Sequence, residues 1–178
     1  MCASCARTIR RAPSAPPPIG IDALHVPFAY TGVVRELVAR AKYRRRHAAL
    51  AWLATEMAGA VTNPAVDIVT WAPTTTARRR ARGFDQAEVL AIAVAGALGR
   101  PCVSALRRVG EVHQTGHSRA ERIGAPGFAP RVPARIAGRR VLVVDDVVTT
   151  GATLQAAATA LRGAGAAHVE ALAAARRT

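Results

Sequence analysis

Val141-Leu142-Val143-Val144-Asp145-Asp146-Val147-Val148-Thr149-Thr150-Gly151-Ala152-Thr153-Leu154 is the stretch on which the reading of this chain turns. Val141–Val144 is a short apolar run of valine and leucine, which reads as a strand. It ends in two adjacent carboxylates, and a helix is expected from Ala152 to about Gly163. In a parallel α/β sheet the acids then stand at the carboxyl edge of a strand, where ligands bind. The intervening turn offers hydroxyls and backbone N–H groups at a helix N-terminus, which is an anion site. Gly151 lets the backbone approach a phosphate with no Cβ in the way. Charge-assisted hydrogen bonds at roughly 1.5–3 kcal/mol each would hold that phosphate. The carboxylates repel a phosphate, so their partners are sugar hydroxyls or a magnesium ion. Phosphate cradle and diol-binding acids together fit a ribose 5-phosphate. A buried strand with an aspartate cap and a threonine turn is the purely structural alternative. Paired acids at a strand end are costly without a partner, which favours the functional reading.

Outward from this stretch, strands alternate with helices. The expected strands are His25–Tyr30, Val66–Trp71, Cys102–Leu106 and His168–Ala174, and the expected helices are Gly32–Tyr43, His47–Ala60 and Asp85–Leu98. Asp85 and Glu88 make a capping-box-like start for the last of these, and Gly99 closes it. Pro73–Gly83 reads as an arginine-rich loop, and Arg107–Pro133 as a long segment without period. Loops that long inside a domain are usually functional or disordered. The alternation implies an α/β domain with a mostly parallel sheet.

Composition narrows the chemistry. At 178 residues and 51% apolar, the chain suits one domain with a real core. Lys+Arg 25 against Asp+Glu 11 gives a net charge of +14, which favours anionic partners: nucleic acid, phosphorylated metabolites or acidic lipid. Lys42 is the only lysine, which argues against Schiff-base chemistry, and no G-x-x-x-x-G-K-[ST] loop occurs. With 4% aromatics, base stacking on single strands has few platforms. No apolar run is long enough to span a membrane and no signal peptide is evident, so a cytoplasmic location is expected. Residues 1–20 differ from the rest: Cys2-Ala3-Ser4-Cys5, then basic residues, then a stiff proline cluster from Pro13 to Pro18.

The Val141–Leu154 run resembles the phosphoribosyl-pyrophosphate (PRPP) signature of type I phosphoribosyltransferases: apolar strand, two acids, T-T-G-x-T loop. Trp71-Ala-Pro73 through Arg82-Gly83-Phe84-Asp85-Gln86 resembles the P-x-x-x-x-R-x-x-x-R-G-F-N-Q stretch of the ComF competence-protein family. His113-Gln114-Thr-Gly116-His-Ser118-Arg119-Ala-Glu-Arg122 is similar to that family's Q-T-G-L-S-R-x-x-R loop. The three fall in the family order, and the resemblance covers about residues 25–178.

The resemblance implies a type I phosphoribosyltransferase fold, a mostly parallel sheet flanked by helices. The first helices and the His25–Tyr30 strand would form a small N-terminal hood. It implies ribose contacts and catalysis by Asp145 and Asp146, and a 5-phosphate loop of Thr149, Thr150, Gly151, Ala152 and Thr153. Pyrophosphate falls to Pro73, Thr74, Thr75, Thr76 and Ala77 with Arg78 and Arg82, and a flexible loop to Arg107–Pro126, with Gln114, Ser118, Arg119 and Arg122. Arginine forks suit a leaving pyrophosphate, and a closing loop excludes water from a reactive sugar. Mg²⁺ accompanies PRPP in that family. Two departures stand out: Asp85 replaces the family's asparagine, and the asparagine that often follows the loop arginine is replaced near Ala125.

Family members often begin with a zinc module of C-x-x-C pairs. Cys2 and Cys5 alone do not close a tetrahedral site, so zinc is not expected of this chain. Residues 1–20 then read as a truncated remnant plus linker, and 21–178 as the phosphoribosyltransferase-like domain. The expected activity is transfer of 5-phosphoribose from PRPP to an unidentified acceptor. The alternative is a non-catalytic ComF-type accessory protein in DNA uptake or processing, its arginines on DNA phosphates.

Overall fold

The computed structural model describes residues 7–40, 47–62, 65–109 and 127–177. In chain order the first elements are β1 (Ala23–His25), β2 (Phe28–Ala29), α1 (Gly32–Arg40), α2 (His47–Gly59), β3 (Ile68–Trp71), α3 (Thr76–Arg82) and α4 (Gln86–Leu98). There follow β4 (Leu106–Val109), β5 (Gly127–Pro130), α5 (Pro133–Ile136), β6 (Arg140–Val148), α6 (Ala152–Gly163) and β7 (His168–Arg176). The main sheet runs β1-β7-β6-β3, every pair parallel, with β2 continuing along the β1 edge of β7.

The alternation along β6 explains the layers. Leu142 and Val144 pack with Leu53, Met57, Leu90 and Val94 on the face covered by α2 and α4. Val141 and Val143 pack with Leu154, Ala157 and Leu161 of α6 on the other. Both faces are covered, so after Arg140 the strand is apolar from Val141 to Val144. Ala171 and Ala173 of β7 join one cluster and Ala174 the other, small side chains that let the helices lie close.

Several expectations change. The run expected to end at Val144 continues as β6 through both acids to Val148, because β7 keeps pairing: Asp145 opposite Ala173, Val148 opposite Arg176. Pro73–Gly83 is not a loop throughout. Residues 76–82 form α3, with no buried side chain, held by Thr75 accepting from the Arg78 N–H at its start and by Gly83, φ 76°, at its end. The His25–Tyr30 segment does not stand apart in a side lobe; it joins the main sheet as β1 and β2. Cys102 makes an isolated parallel bridge to Val69, and the regular strand lies further on, at Leu106–Val109. That strand pairs antiparallel with β5, so both ends of the segment expected to lack period are ordered. Helix α4 matches expectation, capped by Asp85 and closed by Gly99 at φ 63°.

Residues ahead of β1 lie along the domain. Ala29 N–H donates to the Arg10 carbonyl at 2.9 Å, Ala12 N–H to the Pro27 carbonyl at 3.2 Å, and Ile9 packs against the core. No helix among the described residues is long and apolar enough to cross a membrane.

Candidate active site

One cavity of about 410 Å³ opens at the carboxyl edge of the sheet, and its walls come from five parts of the chain. Asp145, Asp146 and Val147 form the end of β6, and Thr149 and Thr153 the turn into α6. Pro73, Thr74, Arg78 and Arg82 come from the end of β3 and from α3, with Asp85 and Gln86 at the head of α4. Arg108 of β4 and, across the sheet, Tyr30 and Arg177 complete it.

Each acid accepts a backbone N–H next to it. Asp145 Oδ1 accepts from Asp146 N–H at 2.8 Å, and Asp146 Oδ1 from Val147 N–H at 2.7 Å. Desolvation pushes the Asp145 carboxyl well above the ordinary carboxylate range. The neighbouring Asp146 charge and then Asp85 push the same way, against the hydrogen bond from the Asp146 N–H. Mg²⁺ is commonly held by one or two carboxylates, with substrate phosphates and water filling its octahedron, and Asp145 with Asp146 is a donor set of that kind. Among the described residues no group of three or more His, Cys, Asp or Glu converges to hold a metal by itself.

The turn after β6 closes a small concavity lined by Asp145 and Val147–Leu154. Helix α6 has no side-chain cap bond, its N-cap Gly151 lies at φ 82°, and Ala152 N–H reaches only the Thr150 hydroxyl at 3.4 Å. A long helix whose first N–H groups lack a strong cap is a place for an anion. The packing adds a reason for glycine here. A Cβ on Gly151 would meet Pro18 Cγ at 2.6 Å, so the proline segment, as well as the positive φ, requires it.

On the β3 side, Asp85 is buried. Its Oδ1 accepts from Ala87 N–H at 3.1 Å and its Oδ2 from Thr74 N–H at 2.8 Å, so its charge is engaged by the cap and by the turn. The box partner Glu88 lies 3.6 Å from Arg79 across the loop. Arg108 donates to the Pro73 carbonyl at 3.2 Å and lies over the Phe128 ring, tying the β4–β5 hairpin to this wall.

Of the sequence-derived candidates, Pro73, Thr74, Arg78, Arg82, Asp145, Asp146, Thr149 and Thr153 line the one cavity. Thr150, Gly151 and Ala152 line the adjoining concavity, while Thr75, Thr76 and Ala77 cap and begin α3. Gln114, Ser118, Arg119, Arg122, Cys2 and Cys5 lie outside the described residues. Tyr30, Arg108 and Arg177 were missed. Only Arg108 left a trace, as a basic residue at the head of the segment without period.

A parallel sheet with an acid-tipped strand and an anion-binding turn at its carboxyl edge defines a class, the α/β phosphoribosyltransferase fold. Residues 86–178 match the phosphoribosyl transferase domain family, just over half of the chain, and the chain belongs to that family. It is 42% identical over 87 residues to the adenine phosphoribosyltransferase of Saccharopolyspora erythraea, covering 48% of this chain and 45% of that protein. It is 42% identical over 89 residues to that of Mycobacteroides abscessus, 48% of each. The chain thus spans about half the length of these curated relatives. Among solved structures, the allosteric regulatory enzyme of purine biosynthesis superposes with a TM-score of 0.54 at 25% identity, over 76% of this chain and 30% of that one. Glutamine PRPP amidotransferase from B. subtilis gives 0.53 at 25% identity, over 75% and 30%.

Proposed function

We propose that this chain binds PRPP and transfers its 5-phosphoribose to an acceptor, releasing pyrophosphate. The observation that carries the proposal is the shared cavity, where the β6 acids sit between the α6 turn and the arginines of α3. In this reading the backbone and hydroxyls of Thr149–Thr153 hold the 5-phosphate, and Asp145 and Asp146 hold the ribose hydroxyls. The residues Pro73–Ala77, with Arg78 and Arg82, hold the pyrophosphate. The bond from the sugar C1 to the pyrophosphate oxygen breaks, its electron pair leaves with pyrophosphate, and the acceptor's lone pair forms the new bond. The arginines neutralise charge that grows on the leaving group, and the acids face the positive charge that grows on the sugar. Mg²⁺ bound with PRPP at the acids would supply further neutralisation of the pyrophosphate.

The finer assignment is to the ComF-type branch, on the Pro73–Gln86 and Gln114–Arg122 motifs. Residues 21–178 would be the phosphoribosyltransferase-like domain. Gln114, Ser118, Arg119 and Arg122 would close over the bound sugar and exclude water. The test is pyrophosphate release from PRPP and Mg²⁺ across a panel of bases, run beside DNA binding as a function of salt. Acceptor-dependent release supports the proposal. DNA affinity falling steeply with salt, with no release under any condition, would establish the non-catalytic accessory role instead.

A further inference from the structure

A second cavity, of about 220 Å³, lies against the first and is lined by Tyr30, Arg35 and Arg177. Tyr30 and Arg177 line both cavities, so the two share a wall. Strand pairing builds this corner. Tyr30 N–H donates to the Arg176 carbonyl at 2.7 Å, and Arg177 N–H donates to the Val148 carbonyl at 2.9 Å, beside the 5-phosphate turn. Arg35 follows on the first turn of α1. The guanidiniums of Arg35 and Arg177 have no hydrogen-bond or ion-pair partner among the described residues. Glu36, the acid beside Arg35 in sequence, is taken by Arg40 at 3.1 Å.

The sheet order fixes what this corner faces. The strand carrying the acids, β6, lies between β3 and β7. Arg78 and Arg82 stand beyond the end of β3, whereas Tyr30 and Arg177 stand beyond the ends of β2 and β7. The two arginine groups therefore flank the acids from opposite sides. An acceptor that displaces pyrophosphate from the sugar enters on the face away from the leaving group. The Tyr30 corner is on that side.

We propose that Tyr30, Arg35 and Arg177 form the acceptor subsite and select an acceptor bearing its own negative charge, a carboxylate-substituted aromatic heterocycle, over a neutral base. The proposal rests on the reading of the larger cavity as the PRPP site. Two guanidiniums without a partner among the described residues, at one small cavity, match a carboxylate in charge and in fork geometry. A neutral base there leaves both exposed guanidiniums to solvent and gains nothing from their charge. Tyr30, partly buried between the cavities, supplies an aromatic contact for a ring.

The test uses orotate, nicotinate and quinolinate as charged acceptors and adenine as the neutral one, with PRPP binding measured separately by calorimetry. At least one carboxylate should be used with kcat/KM about tenfold or more above adenine. Arg35→Gln and Arg177→Gln should each lower that value about tenfold or more through KM, the scale of one charge-assisted hydrogen bond, while PRPP affinity holds. Preference for adenine, use of no carboxylate by a PRPP-binding protein, or a preference unchanged in both variants would overturn the inference and leave the PRPP reading standing. Loss of PRPP affinity in the variants would overturn it too, by assigning the arginines to PRPP. Failure of the wild-type protein to bind PRPP would overturn both.

Discussion

Asp85 joins two elements at once: one carboxylate oxygen accepts from Ala87 N–H at the head of α4 and the other from Thr74 N–H in the turn before α3. An asparagine there would have a single acceptor oxygen, and its other terminal atom, an NH2 donor, could accept from neither N–H. After burial and the Asp146 charge, Asp85 also pushes the Asp145 carboxyl upward, so it touches the site's charge as well as its shape.

Asp85→Ala should therefore cost about 1 kcal/mol or more for the lost cap, read as a lower melting temperature. It should also weaken PRPP more than ribose 5-phosphate, because the turn it holds belongs to the pyrophosphate side. Asp85→Asn should keep most of the stability. Calorimetric titration of both ligands against both variants checks this.

Gly151→Ala should destabilise the protein rather than block phosphate alone. A left-handed alanine costs roughly 1–2 kcal/mol, and its Cβ would press on Pro18. Pro18→Ala removes the Cγ that the new methyl would meet. The double variant should then recover part of the loss, a non-additive result visible in a denaturation cycle.

Replacing Arg78 and Arg82 by alanine should lower PRPP affinity far more than ribose 5-phosphate affinity, by about 1.5–3 kcal/mol for each charge-assisted hydrogen bond removed. Neither side chain is buried, so the fold should hold, and an unchanged melting temperature would show it.

Asp145 gives a pH dependence whose sign follows from its raised carboxyl. Between its unfolded and folded pKa the native state binds more protons than the unfolded chain, so this group makes stability fall as pH rises through that window. Asp145→Asn removes the dependence. Without ligand, that variant should be at least as stable as wild type at neutral pH, measured by thermal denaturation across a pH series.

The strand, turn and helix from β6 to α6 were legible because an apolar run ending in two acids and a threonine-glycine turn admits few structures. Helix α4 was legible through Asp85 and Gly99. Helix α3 was not: Thr76-Ala77-Arg78-Arg79-Arg80-Ala81-Arg82 has no apolar stripe, and only its caps, Thr75 and Gly83, mark it. The acids did not end their strand because pairing with β7, invisible to local pattern, continues past them. Tyr30 and Arg177 were missed for the same reason. They reach the site through backbone pairing between segments far apart in the chain.

The central claim is that the β6 acids and the α6 turn form a PRPP site, and calorimetric titration of PRPP with Mg²⁺ into wild type and the Asp145→Asn, Asp146→Asn double variant tests it most directly. Wild type should bind with a stoichiometry of one, weakened by chelation of the metal, and the folded double variant should show no binding. Equal affinity in the folded double variant would contradict the assignment.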